Sequence, residues 1–226
     1  MRELDNPAWH ALRGEQGVFG RVGERAARYH PDISPIAAVA DRSREALVEL
    51  AGFVEPGRFV AVFAPGEPPD ELWRLAAMAP LSQWVCPDPP VIDVETDWVE
   101  LTDAHAGEML ELARATDPGP FEARTHRLGD YVGVVRDGKL VAMAGERICL
   151  AGYREVSAVC TDAAYTGRGF AQALVLEIVR RQQRAGCVPF LHVRTGSPAQ
   201  AQAIHVYQKL GFQKRGDYAM TVLVRK

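Results

Sequence analysis

The sequence predicts a mixed α/β fold of the α+β type, in which helices pack on a sheet of parallel and antiparallel strands. Short apolar segments alternate with amphipathic helical segments along most of the 226 residues. Asp137-Gly138 lies between two apolar segments and is typical of the turn of a β-hairpin. Pro87-Asp88-Pro89-Pro90 can continue neither a helix nor a central strand, so it predicts a linker.

This linker divides the chain into two predicted domains, residues 1–90 and residues 91–226. The first is predicted to be a small α/β domain. Its clearest element is a helix over residues 43–54, with Ser43 as the N-cap. The other elements predicted here are strands over 33–40, 58–64 and 82–86 and a helix over 69–79. We identify no active-site constellation in this half.

The second domain is predicted to be β-α-β-β-β-α-β-α-β, with a loop or short helix after the first helix. Apolar periodicity and turn residues locate each element. The elements are a strand over 98–101, a helix from 102 or 103 to about 115, a hairpin over 131–136 and 139–149, a strand over 153–161, a helix over 167–184, a strand over 188–193, a helix over 198–209 and a strand over 218–224.

Composition limits the classes of function. Hydrophobic residues make up 47% and charged residues 24% of the chain, as in folded soluble proteins. The formal charge of −3 argues against broad electrostatic attraction to nucleic acid or to acidic membranes. Residues 1–7 lack a signal-peptide apolar core, and no apolar run approaches the roughly 20 residues that span a bilayer. We therefore expect a cytoplasmic protein.

The four cysteines are expected to be reduced, buried thiols rather than disulfide or metal ligands. None belongs to a CxxC pair, and each lies in an apolar segment. They are Cys86, Cys149, Cys160 and Cys187.

The segment Thr166-Gly167-Arg168-Gly169-Phe170-Ala171 follows an apolar strand and opens a long amphipathic helix. Unpaired backbone N–H groups at a helix start, together with the positive end of the helix dipole, form an anion site. A GxGxxG dinucleotide fingerprint would need glycine at position 172, where Gln172 stands, so a nicotinamide-nucleotide domain is disfavoured.

Four motifs give the second half a resemblance to the GNAT superfamily of acyl-CoA-dependent N-acyltransferases, over roughly Val94 to Lys226. They are Val-Cys-Thr-Asp (159–162), Tyr-Thr-Gly-Arg-Gly-Phe-Ala (165–171), Pro-Phe-Leu-His-Val (189–193) and Tyr-Gln-Lys-Leu-Gly-Phe (207–212). The chain looks most like the bacterial subgroup with a glycine-N-acyltransferase-like C-terminal domain, which also tends to carry a Gln-x-Val element like Gln83-Trp84-Val85. This resemblance implies a GNAT fold with splayed central strands, preceded by a smaller, reduced copy of the same α/β unit.

The resemblance also implies acetyl-CoA as co-substrate, with no metal. In the family, the glycine-rich turn binds the pyrophosphate, and the pantetheine arm pairs with the edge of the strand that precedes it. The implied cofactor contacts are Val159, Cys160, Thr161, Thr166, Gly167, Arg168, Gly169, Phe170, Ala171 and Gln200. Thr166 and Gln200 depart from the family's Gln or Arg and its asparagine, so we expect altered contacts at both positions.

Two residues are the candidate catalytic groups. Glu155 lies eleven positions before Thr166, which matches the strand glutamate that acts as general base in the histone-acetylating branch; Glu146 is the alternative base. Tyr207 stands at the family's tyrosine position and is expected to protonate the CoA sulfur. His192 and His205 are interpreted as structural or solvated.

The predicted function is acetyl transfer from acetyl-CoA to a primary amine by direct attack. A small-molecule amine or a peptide N-terminus is the expected acceptor, and nucleic acid and membranes are not expected partners. A homodimer remains open. The alternative is a non-catalytic acyl-CoA-binding or sensing module. The mixed charges of residues 121–127 suit either recognition of an amine and a carboxylate or an ordinary solvated loop.

Overall fold

The computed structural model describes residues 2–63, 67–91, 96–196 and 200–226. These residues form eleven strands and five α-helices, so the predicted mixed α/β class is confirmed. The helices are α1 (Pro7–Leu12), α2 (Arg44–Ala51), α3 (Ala106–Thr116), α4 (Phe170–Arg184) and α5 (Gln200–Lys209). The strands are β1 (Gly20–Val22), β2 (Ala26–Tyr29), β3 (Ile36–Val39), β4 (Phe59–Phe63), β5 (Trp73–Val85), β6 (Val99–Glu100), β7 (Tyr131–Arg136), β8 (Lys139–Leu150), β9 (Tyr153–Thr161), β10 (Val188–Arg194) and β11 (Gln213–Arg225).

All eleven described strands belong to one sheet, in the order β1-β2-β3-β4-β11-β5-β10-β9-β8-β7-β6. Among these strands, β3 with β4 and β9 with β10 pair in parallel, and the other neighbours are antiparallel. β4 and β5 lie before the predicted linker, yet β4 pairs with β11, and β5 lies between β11 and β10. Strands from both predicted domains therefore share one sheet, and the division at residue 90 stays a prediction.

Several elements along the chain lie close to where local sequence patterns predict them. β9 has the predicted bounds, and Asp137 and Gly138 form the hairpin turn with left-handed φ angles of 53° and 75°. Ser43 caps α2, because its hydroxyl accepts the N–H of Ala46. The ends predicted at residues 64 and 198 lie outside the described residues.

The helix predicted over residues 69–79 is wrong, because β5 begins at Trp73 and continues without interruption to Val85. Leu75, Ala76, Ala77 and Met78 are good helix formers, which explains the prediction. Pairing with β11 along the full length of β5 overrides that preference. Helix α1 and the β1–β2 hairpin were not predicted.

Helices cover both faces of the sheet. α4 packs on one face, where Leu174, Ile178 and Val179 are fully buried. α1 packs on the other face against residues from both ends of the sheet order. The rings of Phe63 in β4 and His192 in β10 lie 5.0 Å apart, although two strands separate β4 from β10 in the sheet. The sheet is therefore strongly curled, and its concave face encloses α1.

Within the described ranges, no helix has the length and apolar character that crossing a bilayer requires.

Candidate active site

The strands β9 and β10 separate in the middle of the sheet. They pair in parallel for three residues only, ending at Glu155 opposite Phe190. Beyond this point β9 continues along β8, and β10 continues along β5. In the part of the chain that the structure describes, no strand pairs with the β10-facing edge of β9 after Glu155. This open edge offers backbone groups to an extended ligand.

A β-bulge interrupts β9 within this open stretch. Ser157 lies opposite Gly145 and Cys160 opposite Met143, so Ala158 and Val159 together face the single residue Ala144. Ala158 has a φ of 52°, which is unusual for a residue with a side chain. The bulge redirects the backbone amides at the point of separation, as bulges near functional sites commonly do.

Backbone alternation directs the polar groups of β9. The N–H of Asp162 donates to the carbonyl of Val141 in β8, at 2.8 Å. Because successive residues of a regular strand direct these groups to opposite sides, those of Thr161 point toward the open edge. Thr161, one of the two predicted pantetheine contacts, therefore has the orientation that such pairing requires; the other, Val159, lies in the bulge.

The glycine-rich turn follows β9 directly. Gly167 and Gly169 adopt left-handed φ angles of 76° and 81°, and Gly169 is the residue before α4. Apart from the adjoining residues of the turn, no atom of the described residues lies within 4 Å of a Cβ built at either position. Side chains are thus disfavoured by conformation, while space for a ligand remains. Successive exposed amides at the start of a 15-residue helix form a concave anion site.

One cavity of about 370 Å³ joins this turn to the open edge of β9. Nine of the ten predicted cofactor contacts line it. They are Val159, Cys160, Thr161, Thr166, Gly167, Arg168, Gly169, Phe170 and Ala171. The Arg168 guanidinium lies 4.8 Å from the Tyr165 ring centroid, at the exposed end of the cavity.

Gln200 does not line the cavity. Its side-chain oxygen instead accepts the N–H of Gly196 at 2.6 Å, which ties the start of α5 to the preceding turn. Residues that the sequence analysis missed complete the wall: Tyr165, Gln172, Gln202, Ala203 and Val206. The last three precede Tyr207 at helical spacings of one to five positions, so the helical periodicity around Tyr207 could have identified them.

Tyr207 lies in the cavity wall opposite β9. The side chain is half-buried, and its ring contacts that of Phe212 with centroids 5.8 Å apart. Burial, together with the nearby Cys160 thiol, raises the pKa of Tyr207 to about 12. The hydroxyl therefore keeps its proton at neutral pH and can donate it.

Glu155 is fully buried in an ion pair. Glu155 Oε1 accepts a hydrogen bond from Arg147 Nη2 at 2.7 Å, and Oε2 accepts one from Arg147 Nε at 2.9 Å. Oε1 also lies 2.8 Å from His192 Nδ1 and hydrogen-bonds to it. Burial by itself raises the pKa of Glu155, but the charge of Arg147 and the bonds from His192 and Arg147 lower it to about 2. A carboxylate with this pKa and with both oxygens occupied is a poor proton acceptor. The geometry disfavours Glu155 as the base.

Glu146, the alternative base, occupies the opposite face of β8. Its carboxylate accepts the N–H of Asp130 at 3.1 Å and lies 3.9 Å from Arg154 Nη1. Burial raises the pKa of Glu146, while the Asp130 N–H and the Gln182 side chain in α4 oppose that rise. This environment lies beneath the C-terminal half of α4, so Glu146 is separated by the sheet from the concave face.

The loop after α3 carries one carboxylate that is not engaged. Arg124 pairs with Asp32 at 2.8 Å, and His126 and Arg127 both bind Asp103. Both backbone groups of Glu122 bond to Thr125, because its N–H donates to Thr125 Oγ1 at 2.7 Å and its carbonyl accepts the Thr125 N–H at 3.2 Å, but its carboxylate has no hydrogen-bond or ion-pair partner among the described residues. Burial raises the pKa of the half-buried Glu122 carboxyl, although Arg114 and Arg58 lower it in part.

This loop also lies close to the β9 bulge. Phe121, the neighbour of Glu122, packs in one cluster with Ala158 and Cys160. A Cβ on Gly119 would lie 3.7 Å from Arg147 Nη1, so the loop covers the buried ion pair. The arrangement places an unengaged carboxylate near the separation of β9 and β10.

The four cysteines are free thiols; three are buried, and Cys187 is half-buried. Burial raises the pKa of Cys160 to about 11, so this cavity-lining thiol is neutral and not an activated nucleophile. In the described ranges, His, Cys, Asp and Glu side chains form no group of three or more suited to a metal ion.

Comparison with known proteins identifies the family. Residues 131–221 match the model of the FR47-like protein family. A GNAT-family protein of known structure from Novosphingobium aromaticivorans DSM 12444 is 35% identical, with a TM-score of 0.87 over 99% of this chain and 98% of that one. The chain belongs to the GNAT family. The predicted GNAT fold is thereby confirmed.

More distant structures share the fold. A GCN5-related N-acetyltransferase from Kribbella flavida aligns with a TM-score of 0.64 and 15% identity, over 99% of this chain and 94% of that one. A GCN5-related N-acetyltransferase-like protein from Streptococcus suis 89/1591 aligns with a TM-score of 0.61 and 15% identity, over 97% of this chain and 92% of that one. No curated protein sequence matches the chain. All three neighbours are matched over nearly their whole length, including the first ninety residues of this chain.

Proposed function

We propose that the protein is an N-acetyltransferase that moves the acetyl group of acetyl-CoA to a primary amine. The observation that supports this most is the cavity that connects the left-handed glycine turn to the open edge of β9. Coenzyme A needs both features, because it carries a diphosphate at one end and an amide-containing arm at the other. Family membership supports acyl transfer in general, and this site supports CoA as the donor.

In the proposed complex, amides from Gly167 to Ala171 bind the diphosphate, and Val159 and Thr161 pair with the pantetheine arm. The thioester then reaches the bulge at Ala158, where backbone N–H groups stabilise the oxyanion. The amine nitrogen attacks the carbonyl carbon, so a C–N bond forms and the C–S bond breaks. The CoA sulfur leaves with the electron pair and receives a proton from Tyr207. The nitrogen loses a proton to solvent or to an acceptor-side group.

The acceptor side supports an amine substrate. Glu122 is half-buried and its carboxylate has no ion-pair or hydrogen-bond partner among the described residues. A positively charged acceptor would supply that partner before losing its proton. We propose Glu122, not Glu155, as the acceptor-side carboxylate, and a small-molecule amine or peptide N-terminus as the acceptor. Placement in the glycine-N-acyltransferase-like subgroup is part of the same proposal.

A non-catalytic acyl-CoA-binding module is the second candidate. One observation favours it: the Gln200 side chain is hydrogen-bonded to the backbone N–H of Gly196 and does not line the cavity. Turnover decides between the two. Release of free thiol from acetyl-CoA with any amine in a broad panel supports the enzyme. CoA binding without turnover across the panel supports the module.

The donor site is tested by Gly169→Ala, with Gly57→Ala as the matched control. Both glycines have φ near 80° and open space around a built Cβ, but Gly57 lies in the turn before β4. A side chain in this conformation costs about 1–2 kcal/mol, so we expect CoA to bind roughly ten-fold more weakly to the Gly169 variant only. Equal affinities for the two variants, measured by calorimetry, would contradict the proposed donor site.

A further inference from the structure

A row of hydrogen-bonded side chains crosses five neighbouring strands on the concave face. Arg147 Nη2 lies 2.7 Å from Glu155 Oε1, and the same oxygen lies 2.8 Å from His192 Nδ1. His192 Nε2 lies 3.0 Å from Gln83 Nε2, and Gln83 Oε1 accepts Arg215 Nη1 at 2.9 Å. The five residues belong, in sheet order, to β8, β9, β10, β5 and β11.

The donor and the acceptor of each hydrogen bond in the row can be assigned, because the residue at each end of the row is an arginine, which only donates. Because Arg215 donates to the amide oxygen of Gln83, the amide nitrogen of Gln83 faces His192 and Leu4. His192 Nε2 must therefore accept a hydrogen bond. His192 carries its proton on Nδ1 and donates it to Glu155.

The row lies at the point where β9 and β10 separate. Glu155 is opposite Phe190 in the last parallel pair, and His192 is two residues further along β10. The Glu155–His192 bond therefore joins the two strands by side chains where their backbone pairing ends. The bulge at Ala158 begins three residues after Glu155.

Burial makes this arrangement rigid. Glu155 and Gln83 are fully buried, and the side chains of His192 and Arg147 are only 3% and 9% exposed. A buried charge or amide that loses its partner is costly, so the row is stable only when every member is bonded. One geometry of the strand separation is therefore strongly favoured over its alternatives.

We propose that His192 and Gln83 are positioning residues for acyl transfer, which with Glu155 fix where β9 leaves β10 and so hold the Ala158 bulge against the thioester. This inference rests on the proposed acetyl transfer. None of the five row residues lines the cavity or belongs to the glycine turn, so loss of the row affects the chemical step while the proposed diphosphate contacts remain.

The test uses His192→Phe and His192→Asn. Phenylalanine keeps a ring against Phe63 but removes both hydrogen bonds, whereas asparagine restores an N–H near the position of Nδ1. Misplacing reacting groups by about 1 Å costs roughly 10²-fold in rate. We expect kcat of the Phe variant to fall by about that factor, with a much smaller change in CoA affinity because the glycine turn is untouched, and the Asn variant to recover most of the lost kcat. His205→Phe, on the exposed face of α5, is the control for a histidine-to-phenylalanine change.

A second readout separates positioning from proton transfer. A displaced bulge lowers kcat equally from about pH 6 to about pH 9, whereas a lost base gives a defect that shrinks as the free amine accumulates. Gln83→Leu should reduce kcat like His192→Phe, and the double variant should be no worse than either single one.

The outcomes distinguish this inference from the proposed function. If the wild type turns over, three results would each overturn the positioning role and leave the proposed function intact. These are an unchanged kcat in His192→Phe, a kcat defect of His192→Phe that depends on pH, and a kcat of His192→Asn no higher than that of His192→Phe. Absence of wild-type turnover overturns the proposed function. In that case amide hydrogen exchange over residues 157–161 tests the structural part of the inference, that the row fixes the bulge: faster exchange in His192→Phe but not in His192→Asn supports this part, and unchanged exchange overturns it.

Discussion

The proposed donor site and the side-chain row beside it are built in different ways. The proposed donor site consists of backbone groups from one continuous segment, β9 and the glycine turn, and most of that turn is exposed. The row consists of side chains from five strands, most of them buried, held by specific partners. A backbone site tolerates changes of side chain as long as the backbone conformation is kept. A buried side-chain row tolerates little change at any member.

The largest expected effect breaks the buried row at its charged end. Arg147→Met leaves Glu155 ionised, buried and without its main partner, which typically costs about 3–5 kcal/mol. Replacing both residues, as in Arg147→Met with Glu155→Leu, removes the charge and should restore most of the stability. Urea unfolding of the wild type and both variants measures this. If Arg147→Met is as stable as the double variant, the loss of Arg147 does not leave Glu155 as a costly buried charge, and the prediction is contradicted.

Tyr207→Phe tests the proposed proton donor of the donor site. Loss of a general acid costs roughly 10²-fold in kcat at the lower end of the usual range, and CoA affinity should be unchanged because the diphosphate contacts remain. Steady-state kinetics with acetyl-CoA and calorimetry with CoA measure the two quantities. A kcat equal to that of the wild type would contradict the role of Tyr207 as proton donor and leave it only as a residue that lines the cavity.

Glu122→Gln tests the acceptor side outside the buried row. The amide keeps the shape of the side chain but cannot attract an ammonium group, so KM for the amine should rise about ten-fold, the scale of a charge-assisted hydrogen bond. Glu24→Gln, an exposed position near β2, is the control. An unchanged KM would remove Glu122 from the acceptor site.

The smallest effect is the pH dependence of the buried row. The folded-state pKa of Glu155 is about 2, below the ordinary value of 4.5. The row therefore stabilises the fold fully above the ordinary value and loses this contribution as the pH falls toward the folded value. The free energy of unfolding of the wild type should therefore fall relative to that of the Arg147→Met/Glu155→Leu variant as the pH decreases over that interval. A difference independent of pH would contradict the low pKa.

The contrast also explains what the sequence could predict. The proposed donor site depends on neighbours in the chain: local pattern predicts the bounds of β9, and the short motifs of the family resemblance identify nine residues that line the cavity. The row joins residues far apart, such as Gln83 and His192, which are separated by 109 positions. No local periodicity reveals such a pair, and His192 was accordingly interpreted as structural or solvated without a partner.

The same limit affected the fold. β5 has the local preference of a helix between Leu75 and Met78, and it is a strand because β11, more than a hundred residues later, pairs with it. Glu155 has the spacing of a catalytic base, and Arg147 on the neighbouring strand engages it instead. The partner of β5 is remote in the chain, whereas Glu155 is engaged by Arg147, eight positions before it, and by His192, 37 positions after it.

The most direct test of the central claim is a crystal structure of the protein with coenzyme A. We predict that diphosphate oxygens lie within hydrogen-bonding distance of backbone nitrogens between Gly167 and Ala171, and that the pantetheine arm follows β9 toward Ala158. A diphosphate bound elsewhere, or an arm that does not reach the separation of β9 and β10, would contradict the account.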